Sequence, residues 1–234
     1  MKRKLLVTAL ICGLAFVGCG KEAPAATEEQ PVEAAVEQAE ETEAPAAEEV
    51  KNIPTEFTIA TMMENDYPDS IDISGCDTFT QIVDKKLTAG MGYTNADIGD
   101  DNLLLVTSGT WDNQDGNNAA MDAILYVYKD GVPTELGKVC SQGTAYPLTL
   151  SGQYLFVAGH QWICKYTVAE GQLQIMEMAS VEWANGEGDV DKYFYESADG
   201  GDYTNMTQEE TEKIYNQLYE EMAEGDVLNF DVIQ

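Results

Sequence analysis

His160 is the one histidine in a chain of 234 residues, and that single imidazole bounds the chemistry available. A zinc site built from several histidines is excluded, and a Ser/His/Asp triad would have to be assembled around this one ring. His160 lies in Val157-Ala158-Gly159-His160-Gln161-Trp162, between two predicted strands and without a nucleophile-elbow glycine pattern beside it. Its plainer role is a turn histidine whose ring nitrogens bond to backbone. If the domain holds a ligand, His160 and Trp162 at a strand end, with Trp111 in another loop, are the expected contacts. Loops carried on a rigid sheet are where contacts usually form. No set of catalytic residues is assigned.

Trp111-Asp112-Asn113-Gln114-Asp115-Gly116-Asn117-Asn118 is dense in carboxylate and amide oxygens, which calcium prefers as ligands. Asp112, Asp115 and Asn117 would hold such an ion. An EF-hand frame started at Asn113 reaches Asp115 and Asn117, but Asn118 stands where that motif needs Gly and Ile124 where it needs a bidentate Glu. The EF-hand pattern therefore fails. Calcium rests on ligand type alone, beside the plainer reading of a solvated hairpin loop. Asp97, Asp100 and Asp101 form a second acidic cluster with the same two readings.

Glycoside hydrolysis needs two carboxyls a few ångström apart across a sugar. The chain holds 42 acidic residues, so chance pairs are certain and abundance alone says nothing. Trp111, Trp162, Trp183 and the 12 tyrosines could stack on sugars, but aromatics in a β domain more often serve as core and cross-strand pairs. Arg3 is the only arginine. Without residues 1–18, 9 lysines face 42 acids, a net charge of −33. Phosphate polyanions are bound through Lys and Arg clusters and bidentate clamps through guanidinium. Nucleic acid, nucleotides and anionic lipid headgroups are thereby disfavoured as ligands, while neutral sugars, cations and basic peptides stay open.

The N-terminus reads as an export signal. Lys2, Arg3 and Lys4 precede an apolar run over residues 5–17, then Gly18 and Cys19. A run this short falls below the roughly 20 residues a membrane-spanning helix needs, so cleavage fits better than a permanent span. Residues 20–50 are dominated by Ala, Glu, Pro, Thr and Gln, without aromatics and with ten Glu against Lys21. Such a stretch cannot bury enough apolar surface to offset the entropy of ordering, and reads as an extended linker. Beyond it Cys76, Cys140 and Cys164 match no close metal-binding spacing. Either Cys140 and Cys164 pair across neighbouring strands, or all three are small buried thiols.

Positioning such residues requires a scaffold, and residues 51–234 carry the signals for one. Residues 122–129 are apolar on both alternating faces, which suits a strand covered on both sides. Asp130-Gly131 follows as a tight hairpin turn, with a return strand over 132–140. Further strands are predicted over 102–108, 146–150, 153–158, 161–168 and 172–178, with Ser151-Gly152 and Glu170-Gly171 as turns. This succession predicts an antiparallel meander. Phe79, Ile82, Val83 and Leu87 share a helical face behind Asp77 as cap. Thr207 and Glu210 form a capping-box pattern ahead of Ile214, Leu218 and Met222, with Gly225 as a stop. Residues 183–203 read as a long loop containing a short strand at 192–196. The fold class expected is α+β: mainly an antiparallel β-meander sheet with two flanking helices. The domain organisation is signal peptide 1–18, lipidated Cys and disordered linker 19–50, and a β-rich globular domain 51–234.

Phe16-Val17-Gly18-Cys19 resembles the lipobox of bacterial lipoproteins, with Phe16 where Leu is usual. The resemblance implies lipidation of Cys19, with acyl chains such as palmitate, and a place on the extracellular face of the cell membrane. Gly109-Thr110-Trp111-Asp112, Asp115-Gly116-Asn117-Asn118-Ala119-Ala120, Gly143-Thr144-Ala145-Tyr146-Pro147-Leu148 and Lys165-Tyr166-Thr167-Val168 resemble segments of uncharacterised surface lipoproteins of Gram-positive anaerobic bacteria. That family implies a surface location and a shared β-rich domain but brings no catalytic residues. Asp97-Ile98-Gly99-Asp100-Asp101-Asn102 is similar to the calcium loops of integrin-like repeats, but is shorter and out of pattern, so no calcium site is carried over. The expected function is a non-enzymatic binding or envelope-associated module with a glycan or protein ligand. A carboxylate-dependent glycan hydrolase is the alternative.

Overall fold

The computed structural model describes residues 67–184 and 189–234. Residues 1–66, on which the expected export signal, the lipidation of Cys19 and the expected linker fall, lie outside the described residues. In chain order the elements are α1 (Phe79–Lys86), β1 (Gly92–Ile98), β2 (Asp101–Thr107), β3 (Trp111–Asp112), β4 (Asn118–Ala119), β5 (Asp122–Lys129) and β6 (Val132–Cys140). There follow β7 (Thr149–Ser151), β8 (Tyr154–Ala158), β9 (Trp162–Ala169), β10 (Gln172–Trp183), β11 (Val190–Ser197), α2 (Gln208–Ala223), β12 (Asp226–Val227) and β13 (Asp231–Val232). All ladders are antiparallel. The fold is α+β and mainly β.

One sheet has five strands in the order β13-β1-β2-β5-β6, and the other has six in the order β11-β10-β9-β8-β7-β12. They pack face to face. Leu103, Leu105, Leu125 and Val139 of the first meet Leu155, Val157, Cys164 and Val168 of the second in one core. Each outer face carries a helix. Ile82 of α1 covers Leu104, Val106, Ile124 and Tyr126, and Leu218 and Met222 of α2 cover Phe156, Ala158, Ile163 and Ala179. Strands β5 and β9 are buried on both sides for this reason, as the doubly apolar run in β5 anticipates.

The two sheets repeat one hairpin. Lys129 pairs with Val132 and Leu125 with Gly137 in the first; Ala169 pairs with Gln172 and Lys165 with Glu177 in the second, a displacement of 40 residues throughout. Each hairpin carries a bulge at the matching place, Leu136 in β6 and Met176 in β10. Both turns put two residues at positive φ, 53° and 79° at Asp130-Gly131 and 53° and 68° at Glu170-Gly171. That is the geometry whose twist suits a two-residue hairpin.

The C-terminal segment ties the sheets together. β12 joins the edge strand β7, and β13 joins β1 of the other sheet. Between them Leu228 and Phe230 enter the shared core at 8% and 1% exposure. Phe230 N donates to Asn118 O at 2.9 Å, so the same segment anchors β4.

Several sequence expectations need correction. The α1 cap is Thr78, whose side chain accepts from Gln81 N, and not Asp77. The strand expected over 146–150 is shortened to β7, because Tyr146 and Pro147 belong to the segment crossing between the sheets. Residues 183–203 are less loop than expected, since β10 runs on to Trp183 and β11 spans Val190–Ser197. The α2 capping box is present as read. Gly225 is needed for a close approach and not for a left-handed turn: a Cβ there would lie 2.8 Å from Leu150 O. Among the described residues no helix is long and apolar enough to cross a membrane.

Candidate ligand-contact surface

His160 sits in the turn between β8 and β9, closed by Gly159 N donating to Trp162 O at 2.8 Å. Its side chain is exposed. The ring stands edge-on to Tyr146, centroids 5.5 Å apart, with Nδ1 3.5 Å from the Tyr146 hydroxyl. The partner of the imidazole is thus a phenol from the crossing segment and not a backbone group. Trp162, two residues on, turns the other way. It is 6% exposed within the core between the sheets. Its indole covers Gly159, where an added Cβ would lie 2.5 Å from Nε1. Of this pair, only His160 presents its side chain to solvent.

Tyr219 of α2 holds the base of the same turn. Its hydroxyl lies 2.7 Å from Gly159 O and 2.9 Å from Trp162 O. Burial raises its phenol well above the ordinary value, with Tyr215 adding to the effect. From His160 a run of rings continues along the seam between α2 and the sheet. Tyr146 to Tyr219 is 6.1 Å, Tyr219 to Tyr215 is 4.9 Å, and Tyr215 to Tyr193 is 5.6 Å. The four tyrosines are half-buried. Tyr146 and Tyr219 were not singled out as contacts in the sequence. The readable signal was the Tyr215, Tyr219 pair at i, i+4 beside the apolar stripe of α2.

Trp111 is half-buried and pairs with Ala119 across the short β3–β4 ladder. The loop between them uses its acidic side chains to shape itself. Asp112 Oδ1 accepts from Gln114 N at 2.8 Å, Asp115 Oδ1 from Asn117 N at 2.9 Å, and Asp115 Oδ2 from Asn113 Nδ2 at 2.9 Å. Those bonds, led by the Asn117 backbone, hold the Asp115 carboxyl below its usual value. Among the described residues no group of three or more His, Cys, Asp or Glu side chains is arranged to hold a metal ion. Asp97 accepts from Asn102 Nδ2 at 2.7 Å across the β1–β2 hairpin.

Two carboxylate environments bear on hydrolysis. Lys165 of β9 lies 2.8 Å from Glu221 and 3.3 Å from Glu177, and Glu177 also accepts from Tyr195 at 2.7 Å. Both acids therefore share one cation. Burial raises the Glu196 carboxyl above its ordinary value, and no neighbouring acid contributes. A glycosidase acid is raised in such a way, but its chemistry also needs a second carboxyl facing it.

Cys76 and Cys164 are buried thiols. Cys164 is on the core face of β9, and Cys140 ends β6 in the other sheet, its Sγ 3.3 Å from Ser141 O. The bridge between Cys140 and Cys164 is not formed. Burial pushes the Cys164 thiol far up, which makes it a poor nucleophile. No family model, curated protein or solved structure matches this chain.

Proposed function

We propose that this chain is an exported lipoprotein, held on the outer face of the cell membrane by acyl chains on Cys19. Its β-rich domain is, in this reading, a non-enzymatic binding module for a glycan or a protein. The address follows from Lys2-Arg3-Lys4, the apolar run, Gly18-Cys19 and the acidic linker behind them. The observation that carries the binding role is the run of rings that begins at exposed His160 and passes through Tyr146 to Tyr219, Tyr215 and Tyr193. Aromatic bodies with polar tips combine apolar contact and hydrogen bonding at low entropic cost. The lack of arginine beyond Arg3 directs the choice toward an uncharged or cationic ligand.

Thermal-shift measurements against a panel of neutral glycans test this reading, since a ligand at about 100 times its Kd stabilises the folded state by roughly 2.7 kcal/mol. A glycan that raises the melting temperature of the wild type, and fails to do so with His160→Ala or Tyr146→Ala, is the expected result. A response untouched by both substitutions moves the contact elsewhere. Release of new reducing ends from a glycan makes the domain a hydrolase instead. Calcium and EDTA arms address the β3–β4 loop: a calcium response abolished by Asp112→Asn with Asp115→Asn would make it a metal-stabilised turn.

A further inference from the structure

Strand β11 has one covered face and one open face. Tyr193 and Tyr195 point toward α2, through the Tyr193–Tyr215 ring pair and the core beneath that helix. Phe194 and Glu196 point the other way. Phe194 pairs with Ser180, in line with Trp162, and Glu196 pairs with Met178, in line with Cys164. Trp162, Cys164 and Met178 belong to the core between the sheets. The sheet opposite has five strands against six here, and β11 is outermost. Phe194 is accordingly 43% exposed. Lys192 leans over the Phe194 ring, with Nζ 5.8 Å from its centroid. Glu196 Oε2 is buried and accepts no hydrogen bond from the described residues, a condition native folds rarely leave uncorrected.

We infer that this open face of β11 is a self-association surface, covered by β11 of a second copy running antiparallel to it. Phe194 then meets the second copy's Phe194, and each Lys192 reaches the other copy's Glu196. The face is self-complementary, with one cation and one carboxyl placed symmetrically about an exposed ring. A two-fold axis at Phe194 therefore brings each charge to its opposite. The Glu196 side chain is half-buried, and the accessible part of its carboxyl gains a charged donor in the same step. The copies meet through side chains and not by adding a strand, because the outer backbone edge is already closed at Tyr193. There N donates to Gln208 Oε1 at 2.7 Å and O accepts from Gln208 Nε2 at 3.3 Å. The second copy supplies the layer that the five-stranded sheet does not extend far enough to provide.

A patch this small predicts weak association, with Kd on the order of 0.1 mM. Sedimentation equilibrium of the full chain in density-matched detergent, from roughly 0.01 to 1 mM, should show a monomer–dimer equilibrium for the wild type. Lys192→Glu and Glu196→Lys should each weaken it tenfold or more, and the double exchange should restore it, which also shows that the single variants had not merely unfolded. Wild type that stays monomeric throughout would overturn the inference and leave this face to a different partner. Single variants that dimerise like the wild type, or a double exchange without recovery, would overturn it as well.

Discussion

Lys165 Nζ lies 2.8 Å from Glu221 Oε1, an ion pair that joins the middle of β9 to the last turns of α2. The lysine side chain is only 12% exposed, and its ammonium sits 4.5 Å from the Tyr154 ring centroid. Removing the cation leaves Glu177 and Glu221 without it at a partly dry interface. Lys165→Ala should cost about 2 kcal/mol, and Glu221→Gln less than about 1 kcal/mol because that acid is more exposed. Urea unfolding measures both. Equal costs would show that the ion pair with Glu221, and not the packed stem or the contact with Glu177, secures the helix.

Gly99, at φ 63°, turns so close to β9 that an added Cβ would lie 2.0 Å from Val168 O. It also donates its N–H to Gln153 O at 2.9 Å, linking the two sheets. Gly99→Ala combines a disfavoured backbone angle with a clash against main chain, and should destabilise by roughly 2 kcal/mol or more. Gly131→Ala, where nothing lies within 4 Å, carries only the conformational part, roughly 1–2 kcal/mol. Thermal unfolding that ranks Gly131→Ala as the worse of the two would contradict the close approach.

Thr207 and Glu210 close the capping box of α2, and no basic residue occupies its last turn. Thr207→Ala should cost about 1 kcal/mol. Glu224→Lys at the C-cap should add roughly 0.3–1 kcal/mol by placing a cation at the negative end of the helix, an effect that salt reduces. Denaturation at low and high salt separates this dipole effect from any new contact.

Stability should fall steeply above pH ~10. Burial raises the phenols of Tyr166, Tyr195 and Tyr219 above their ordinary value and pushes Tyr126 up to about 12. The folded state thus keeps these protons longer than the unfolded chain. Their contribution is complete below the unfolded pKa and is lost as pH rises toward the folded values. Lys165 follows the same direction: burial alone would lower it, but Glu221 and Glu177 outweigh burial and raise it. Melting temperatures from pH 8 to 11.5 should therefore drop on the alkaline side, and Tyr195→Phe should make the drop shallower. A flat profile would contradict the raised phenols.

Local signals carried the parts of this fold that could be read in advance. Asp130-Gly131 names its turn because two successive positive φ angles favour Asp and Gly, and in Glu170-Gly171 the glycine alone carries that signal. Thr207 with Glu210 names a helix start within four residues. Strand β1 carries no such signal because Gly92-Tyr93-Thr94-Asn95-Ala96-Asp97-Ile98 is largely polar, and its partners β2 and β13 lie in different parts of the chain. The short ladders β12 and β13 exist only because the C-terminal segment meets edges made elsewhere. The candidate site divides the same way. His160 stands out as a lone histidine in a turn, but nothing local says that Trp162 faces the core while Tyr146 and Tyr219 converge on that turn. Those contacts are tertiary.

The proposed placement of the molecule on the membrane rests on lipidation of Cys19, and labelling tests it most directly. Cells expressing the full chain are fed an alkyne-bearing fatty acid, and the purified protein is examined for label and for its partition into membranes. Label in the wild type, absent from Cys19→Ala together with loss of that variant from the membrane fraction, is the predicted result. An unlabelled wild type, or a Cys19→Ala chain that keeps both label and membrane association, would contradict the account.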